Sequence, residues 1–197
     1  SWLPLSKSVV SRITGAVQGI LKRSGWECRR EELSDLLSNA SDDSLHGYIR
    51  QAGHDYVCDD FVNAFLRPAG LWLRADPAPG ASGRLVRFHD AVLLHAGRVM
   101  SAATRRKSVP VFLEAVSVND PTEIWMEAIR LTGQGCRVEL SSVVTGMPAK
   151  PELRCEHHLM WCGAGINHLM RWNFRNRLGD GMPVMLCGPD QGLRTAA

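Results

Sequence analysis

The sequence lacks a long hydrophobic run, a block of like charges and a closely spaced cysteine pair. No apolar stretch reaches the roughly 18 residues needed to span a bilayer, and the first residues lack the small-residue cleavage site of a secretory signal. No run of five like charges occurs, and the formal net charge is only +3, so neither a disordered acidic tail nor a basic nucleic-acid arm is indicated. A phosphate-binding loop, a kinase signature and a Ser-His-Asp elbow are also missing from the sequence, which excludes the enzymes that depend on them.

The composition favours one compact domain with reduced cysteines. The chain has 197 residues, of which 45% are hydrophobic, so it has enough apolar material for a single core. Six cysteines are scattered through apolar contexts in a chain too long to need disulfides, which indicates a reducing compartment such as the cytoplasm. Because the first residue is serine rather than methionine, the sequence also suggests a processed or excised fragment.

The first third of the chain is predicted to be helical. Between 7 and 23, apolar residues recur at three- and four-residue steps and basic residues occupy the opposite face, which predicts an amphipathic helix that docks on its own domain or, alternatively, lies on an anionic membrane. Further helices are predicted at 30–37, 44–51 and 58–66, the last ending before Pro68 and Gly70.

A segment rich in proline, glycine, alanine and serine at 75–83 is the best internal boundary. It divides the single domain, 1–197, into a helical subdomain, 1–74, and a mixed subdomain, 84–197. After it, strands are predicted at 84–88, 91–100, 109–118, 136–144 and 183–187, and helices at 120–132, 151–161 and 166–178. The predicted class is α+β: a helical N-terminal third followed by a small, mostly antiparallel sheet with flanking helices.

One candidate site combines a cysteine at the start of a helix with a histidine on a predicted strand. A thiol at a helix N-terminus has a lowered pKa, and a nearby histidine would serve as its base. The stretch from Tyr56 to Met100 resembles NlpC-type and amidase-type papain-like cysteine hydrolases. The resemblance implies Cys58 as nucleophile, His95 as base and Glu114 as orienting group. The alternative is a buried structural cysteine.

A second candidate is the run Cys155-Glu156-His157. It is similar to the Cys-Glu-His box of lecithin retinol acyltransferase-type proteins. In that permuted papain-like order the histidine precedes the cysteine, so the resemblance again implies His95 as the base. Both hydrolase hypotheses therefore expect His95 on a strand that faces a thiol.

The same segment offers ligands for a metal ion. On a helix, Cys155, His158 and Cys162 would lie on neighbouring turns, and His168 would complete a tetrahedral zinc site. The alternative is a helix whose histidines bond to the backbone or to water, with no metal or other cofactor bound.

A basic and aromatic run further along the chain is a candidate for binding RNA or a protein partner. It alternates cations with aromatic and amide side chains, notably Arg171, Trp172 and Arg175. A solvated basic face with buried aromatics explains the same pattern.

The sequence thus leads to one working hypothesis and one competitor. The first is a papain-like cysteine hydrolase, or a derivative of that fold, acting on an amide bond of a peptide or protein substrate by attack of the Cys58 thiolate. The second is a non-enzymatic interaction module, stabilised by zinc, that binds RNA or a protein partner.

Overall fold

The computed structural model describes residues 26–104, 107–116, 120–140, 157–162, 175 and 184–187. The predicted helix at 7–23 lies outside these residues, and so does the one at 166–178 apart from Arg175.

The helical part runs from 26 to 103. It comprises α1 (Trp26–Asn39), α2 (Asp42–Asp55), α3 (Cys58–Asp60) with the π-helical segment Phe61–Leu66, α4 (Arg67–Ala75) and α5 (Ala81–Ala103). Helix α2 begins locally, because the Ser41 hydroxyl accepts a 3.3 Å hydrogen bond from the Ser44 amide. The predicted helices at 30–37, 44–51 and 58–66 are confirmed, although the last continues into α4.

Helix α5 replaces the strands predicted at 84–88 and 91–100, which are wrong. Its buried residues, Phe88, Val92 and Ala96, recur every four positions, which is the spacing of one helix face rather than of a strand. The segment 75–83 contains only a short turn between α4 and α5, with Gly80 at a φ of 80°. Both helices pack into one core, so this turn separates two neighbours in the same helical unit. The division of the chain into one domain or more stays a prediction.

A four-stranded sheet follows the helices. Its strands are β1 (Val109–Val116), β2 (Cys136–Leu140), β3 (His157–Cys162) and β4 (Val184–Cys187), in the order β2-β1-β3-β4. All three pairings are parallel, so the expectation of a mostly antiparallel sheet is wrong, while the mixed helix and strand class is confirmed. Residues 111–114 are buried without alternation, because strands of a parallel sheet are covered on both faces.

Helix α6 (Pro121–Gly133) connects β1 to β2 and confirms the helix predicted at 120–132. Asp120 caps it by accepting a 3.0 Å hydrogen bond from the Thr122 amide, and Pro121 occupies its first turn. At its other end Gly135 has a φ of 91°, a conformation that glycine adopts without strain, and the chain turns there into β2. None of the described helices is long and apolar enough to cross a membrane.

Candidate functional site: the junction between the helices and the sheet

Helix α6 lies between two hydrophobic cores and contributes residues to both. Met126 and Ile129 belong to the core of the helical part. Residues on another side of α6 belong to a second core, which includes residues of β1, β2 and β3. The members that α6 contributes to this second core are Ile124, Ala128 and Leu131. The half-buried side chain of Trp125 packs against both cores. A displacement of the sheet relative to the helices would therefore have to repack α6.

A chain of ion pairs crosses the same junction. The Arg67 guanidinium donates to Glu123 at 3.1 Å and to Glu127 at 3.0 Å. Glu127 is completely buried and also accepts a 2.9 Å hydrogen bond from Arg130 Nε. Arg130 in turn lies 3.7 Å from the carboxylate of Asp59 in α3. Since a buried carboxylate is costly unless it is paired, these arginines are what makes the burial of Glu127 tolerable.

The π-helical segment places Arg67 at this point. Its last turn is closed by the Arg67 amide, which donates to the carbonyl of Val62, five residues earlier. Pro68 comes next, and a proline has no amide hydrogen and collides with the carbonyl four residues before it in a regular helix. The wider π turn accommodates this proline, so the residue expected to end the helix instead lies in the first turn of α4.

A second set of contacts holds the beginning of α6. Arg74 at the end of α4 forms an ion pair with Asp120, the residue that caps α6. Nδ1 of His89 in α5 lies 2.8 Å from the hydroxyl of the buried Thr122. Helices α4 and α5 therefore fix the first turn of α6 through Arg74 and His89. The ion pairs of Arg67 with Glu127 and of Asp59 with Arg130 hold the rest of the helix. The junction thus connects the helical part to the sheet through one helix, α6.

Of the three predicted catalytic residues, one lies on a different kind of element from the one expected. Cys58 begins α3 as predicted, but nothing of its side chain is described. His95 lies in the middle of α5, so the prediction that it is on a strand is wrong. Glu114 is buried in β1. Two other cysteines, Cys28 and Cys136, form no disulfide, and burial raises the pKa of Cys136, which makes it a poor nucleophile.

The surroundings of His95 do not suit a base that pairs with a thiolate. Its ring meets the Phe61 ring edge-on at 5.3 Å between centroids and lies close to Gly53. Burial, with a smaller contribution from the cation of Arg98, lowers the pKa of His95 from 6.5 to about 4. The imidazole is thus neutral at neutral pH, and a neutral ring supplies no positive charge to stabilise a thiolate.

This lowered pKa predicts a loss of stability in mild acid. Between pH 6.5 and about 4 the unfolded chain binds a proton at His95 that the folded chain does not, so the free energy of unfolding falls as the pH falls. The contribution is at most about 1.4 kcal/mol per pH unit. We expect His95→Gln to flatten the decline of urea-unfolding free energy between pH 7 and 4.5. The partly buried His46 offers a matched control, and an equal slope in wild type and His95→Gln would contradict the assignment.

The predicted zinc ligands do not share the helix that suggested the site. Residues 157–162 form β3, so the helix predicted at 151–161 is wrong there. On a strand, His158 and Cys162 are separated by about 13 Å along the backbone, too far for the two to hold one ion. Cys155 and His168 lie outside the described residues, and within the described part of the chain no three potential ligands cluster. The four-ligand zinc site stays a prediction, but the helix on which its spacing was based is not present at 157–162.

The basic and aromatic run is described at one position only. Arg175 is exposed, whereas Arg171 and Trp172 lie outside the described residues. The junction residues were not predicted as a site, although the sequence does carry a signal for them. Glu123, Glu127, Arg130 and Gln134 recur at four- and three-residue steps on a well-capped helix, which marks one polar face among apolar neighbours.

The chain is similar to proteins that regulate transcription. The family described as the C-terminal domain of the transcriptional regulator MlrA matches residues 109–184, which include β1 to β3. The HTH-type transcriptional regulator MlrA of Escherichia coli (strain K12) is 24% identical over 143 residues, which is 72% of this chain and 58% of that relative. The regulator of the same name from Salmonella typhimurium (strain SL1344) is 22% identical over 160 residues, or 78% of this chain and 65% of the relative. The chain therefore spans about three fifths of the length of these relatives.

These similarities overturn the resemblance to cysteine hydrolases. The match to regulators extends over most of the chain, whereas the papain-like pattern covered 56–100 and the acyltransferase-type box three residues. The helical position of His95 and its low pKa agree with this correction. An RNA-binding, zinc-stabilised module also fits poorly with relatives that are named as HTH-type regulators.

Proposed function

We propose that this chain is the regulatory part of a transcription regulator, and that the DNA is contacted by a separate HTH unit. The observation that carries the proposal is the similarity of 72–78% of the chain to HTH-type transcriptional regulators. The match of the sheet region to the C-terminal domain of such a regulator supports the same assignment. A regulator of this kind acts in the compartment that holds the genome, which agrees with Cys28 and Cys136 being outside any disulfide.

The charges of the first helices support a role away from DNA. Helix α1 carries two arginines against three glutamates and one aspartate, and α2 carries one arginine against three aspartates. DNA-binding helices present a positive surface to the phosphates, because neutralisation of phosphate charge supplies most of the non-specific affinity. Helices with an excess of carboxylates would be repelled, so α1 and α2 are poor candidates for contact with DNA.

The junction suits the transmission of a signal. Helix α6 is held by the helical part through Arg67, Arg74 and His89, and it packs on the sheet through its apolar side. In open parallel sheets, ligands bind beyond the carboxyl ends of strands at the point where the strand order reverses, which here is between β1 and β3. A ligand or protein partner bound there would act on α6, and through α6 on the helices.

Chromatin immunoprecipitation of the natural protein in its source organism tests the proposal. We expect promoter DNA to be enriched, and the genes next to the enriched sites to change expression when the encoding gene is deleted. The purified 197-residue chain is expected to bind duplex DNA only weakly and without sequence preference, with Kd values of about 10⁻⁴ to 10⁻⁶ M at physiological salt. An absence of promoter enrichment would contradict the assignment as a regulator.

Two arginine variants test whether DNA is contacted by a separate unit or by this chain. Arg175 and Arg30 are both exposed, but Arg175 lies in the basic and aromatic run whereas Arg30 lies in the acid-rich α1. If a separate unit contacts DNA, Arg175→Ala and Arg30→Ala will leave promoter occupancy equally unchanged. A loss of occupancy for Arg175→Ala alone would place DNA contact within this chain and contradict the proposal.

A further inference from the structure

We propose that the groove between α2 and α5 binds the phosphate group of a small ligand, with Arg50 and Arg98 on its two sides and the ring of His95 at its floor. The proposal goes beyond the regulatory function and does not depend on it. We define the α2–α5 groove by these three residues together with Gly53 and His54. Arg50, His54 and Arg98 are exposed, whereas Gly53 and His95 are half-buried.

The two helices of the groove come together at Gly53 and His95. A Cβ added at Gly53 would lie 3.3 Å from both Cε1 and Nε2 of His95, so a side chain there would press against the ring. Arg50 lies three residues before Gly53, and Arg98 lies three residues after His95. Because a step of three residues returns to nearly the same side of a helix, the contact between Gly53 and His95 brings both arginines to the same part of the groove.

Arg50 and Arg98 differ from most arginines of the described chain, because neither forms an ion pair there. Their charges are therefore not neutralised by a described carboxylate, and they are available to an anion. Six other arginines are each paired with an aspartate or a glutamate: Arg29, Arg67, Arg74, Arg84, Arg87 and Arg130.

The charges around the floor of the groove are all of one sign. Burial lowers the pKa of His95 most, and the charges that add to this effect belong to Arg98, His54 and Arg50. Among the described residues no carboxylate acts on His95 in the opposite direction. A half-buried ring beside uncompensated positive charge is a favourable position for a bound anion, since the anion would relieve the repulsion among these groups.

The side chains of the groove fit a phosphate group. A guanidinium donates two parallel hydrogen bonds to phosphate oxygens, and such charge-assisted bonds are stronger than neutral ones. No described residue forms a hydrogen bond with the ring of His95, so its N–H is available as a further donor. Two arginines also match the charge of a phosphate monoester, which is about −1.5 to −2 at neutral pH.

The positive surface is too small to follow a DNA backbone. Proteins that bind duplex DNA neutralise about 6–10 phosphates, whereas the groove offers two arginines. The carboxylates of α2 lie at its two ends and limit the positive surface to the part between them. They belong to Asp42 and Asp43 at the beginning of the helix and to Asp55 at its end. The expected occupant is therefore a small phosphorylated molecule.

Titration of the whole chain with inorganic phosphate at neutral pH and constant ionic strength tests the site. We expect one phosphate to bind per chain, with a Kd of about 1 mM for so small a ligand. At about 20 times this Kd, phosphate should raise Tm by about 4–7 °C. In NMR spectra the imidazole signals of His95 should shift on binding, whereas those of His89, which is bonded to Thr122, should not. Binding that does not saturate, or that leaves the His95 signals in place, would overturn the proposal.

Glutamine variants separate the groove from a general attraction of anions to the protein. Arg50→Gln and Arg98→Gln should each weaken phosphate binding at least about tenfold, because each removes a charged donor. Arg30→Gln is the matched control, because it removes the same charge from an exposed position on α1. An equal loss in all three variants would mean that net charge alone attracts the anion, which would refute the site. Far-UV circular dichroism checks that each variant is folded.

A comparison of ligands distinguishes the possible sources of the phosphate group. We expect AMP and glycerol phosphate to displace inorganic phosphate, since all three present the same oxygens to the arginines. Tighter binding of either one would assign the site to a phosphorylated organic molecule, and equal binding would assign it to inorganic phosphate. A duplex of about 20 base pairs that binds more tightly than all three, and that loses this affinity in Arg98→Gln, would place DNA in the groove and contradict the proposal.

Discussion

Glu127→Ala is expected to lower the free energy of unfolding by about 3–5 kcal/mol. Glu127 is completely buried and pairs with two arginines whose side chains are only 12% and 15% exposed, Arg67 and Arg130. Removal of the carboxylate takes from two largely buried cations the acidic partner that they share, while Glu123 stays paired with Arg67 and Asp59 stays near Arg130. Since a domain of this size is stable by only about 5–15 kcal/mol, this loss would be visible as a large shift in a urea or thermal transition.

A double-mutant cycle separates the lost ion pair from the lost packing. If unpaired charge causes the damage, Arg130→Ala in the Glu127→Ala background should cost much less than it does alone, with a coupling of about 0.5–3 kcal/mol. Glu31 in α1 is exposed, so Glu31→Ala should change stability by no more than about 0.5 kcal/mol. Additive losses at 127 and 130 would show that the arginine does not compensate the buried carboxylate.

Helix α6 could be predicted from the sequence because its determinants are local. Asp120, Pro121 and Glu123 stand at the positions where a cap, a first-turn proline and a first-turn acid are favoured, and no distant residue is needed to read them. The residues that pair with α6 from other helices could not be predicted in this way. Arg67 lies 56 residues before Glu123 and 60 before Glu127, so only the folded chain reveals the ion pairs.

The errors at α5 and β3 have separate physical causes. In α5, β-branched residues favoured strands, although the four-residue spacing of Phe88, Val92 and Ala96 already indicated a helix. Residues 157–162 are a short apolar run whose periodicity does not distinguish a buried strand from a buried helix. Pairing with β1 on one side and β4 on the other decides in favour of the strand. The error mattered for function, because the zinc prediction required a helix there.

The burial of Glu114 shows how the assumed sheet type affected the candidate site. Strict alternation in β1 would have placed Glu114 on one face with Phe112, and a half-exposed antiparallel sheet would have left one face in water. In the parallel sheet both faces of 111–114 are covered, so Phe112 and Leu113 are buried along with Glu114. A carboxylate flanked by apolar residues is therefore what a central parallel strand produces, since burial there does not depend on alternation.

Phe65→Ala is expected to destabilise the helical part by about 3–5 kcal/mol. Phe65 is completely buried in the π-helical segment, and its ring is stacked on Tyr56 at 5.7 Å between centroids with an interplanar angle of 10°. The rings of Trp26, Tyr48 and Phe61 lie within 6.4 Å of it. Truncation would leave a cavity that this many rigid rings cannot close, so both the lost burial and the lost ring contacts would contribute.

The effect should appear in thermal unfolding and in the tryptophan signal together. For a chain of this length, each kcal/mol shifts Tm by about 2–4 °C, so Phe65→Ala should melt roughly 6–20 °C lower than the wild type. Since Trp26 touches Phe65 directly, its fluorescence in the native state should change as well. Val57→Ala provides the control, because Val57 is close in sequence but 77% exposed, and its Tm should stay within about 2 °C of the wild type. A Phe65→Ala protein that melts with the control would mean that the aromatic cluster collapses around the missing ring, and that the π-helical segment does not depend on Phe65 for its position at the junction.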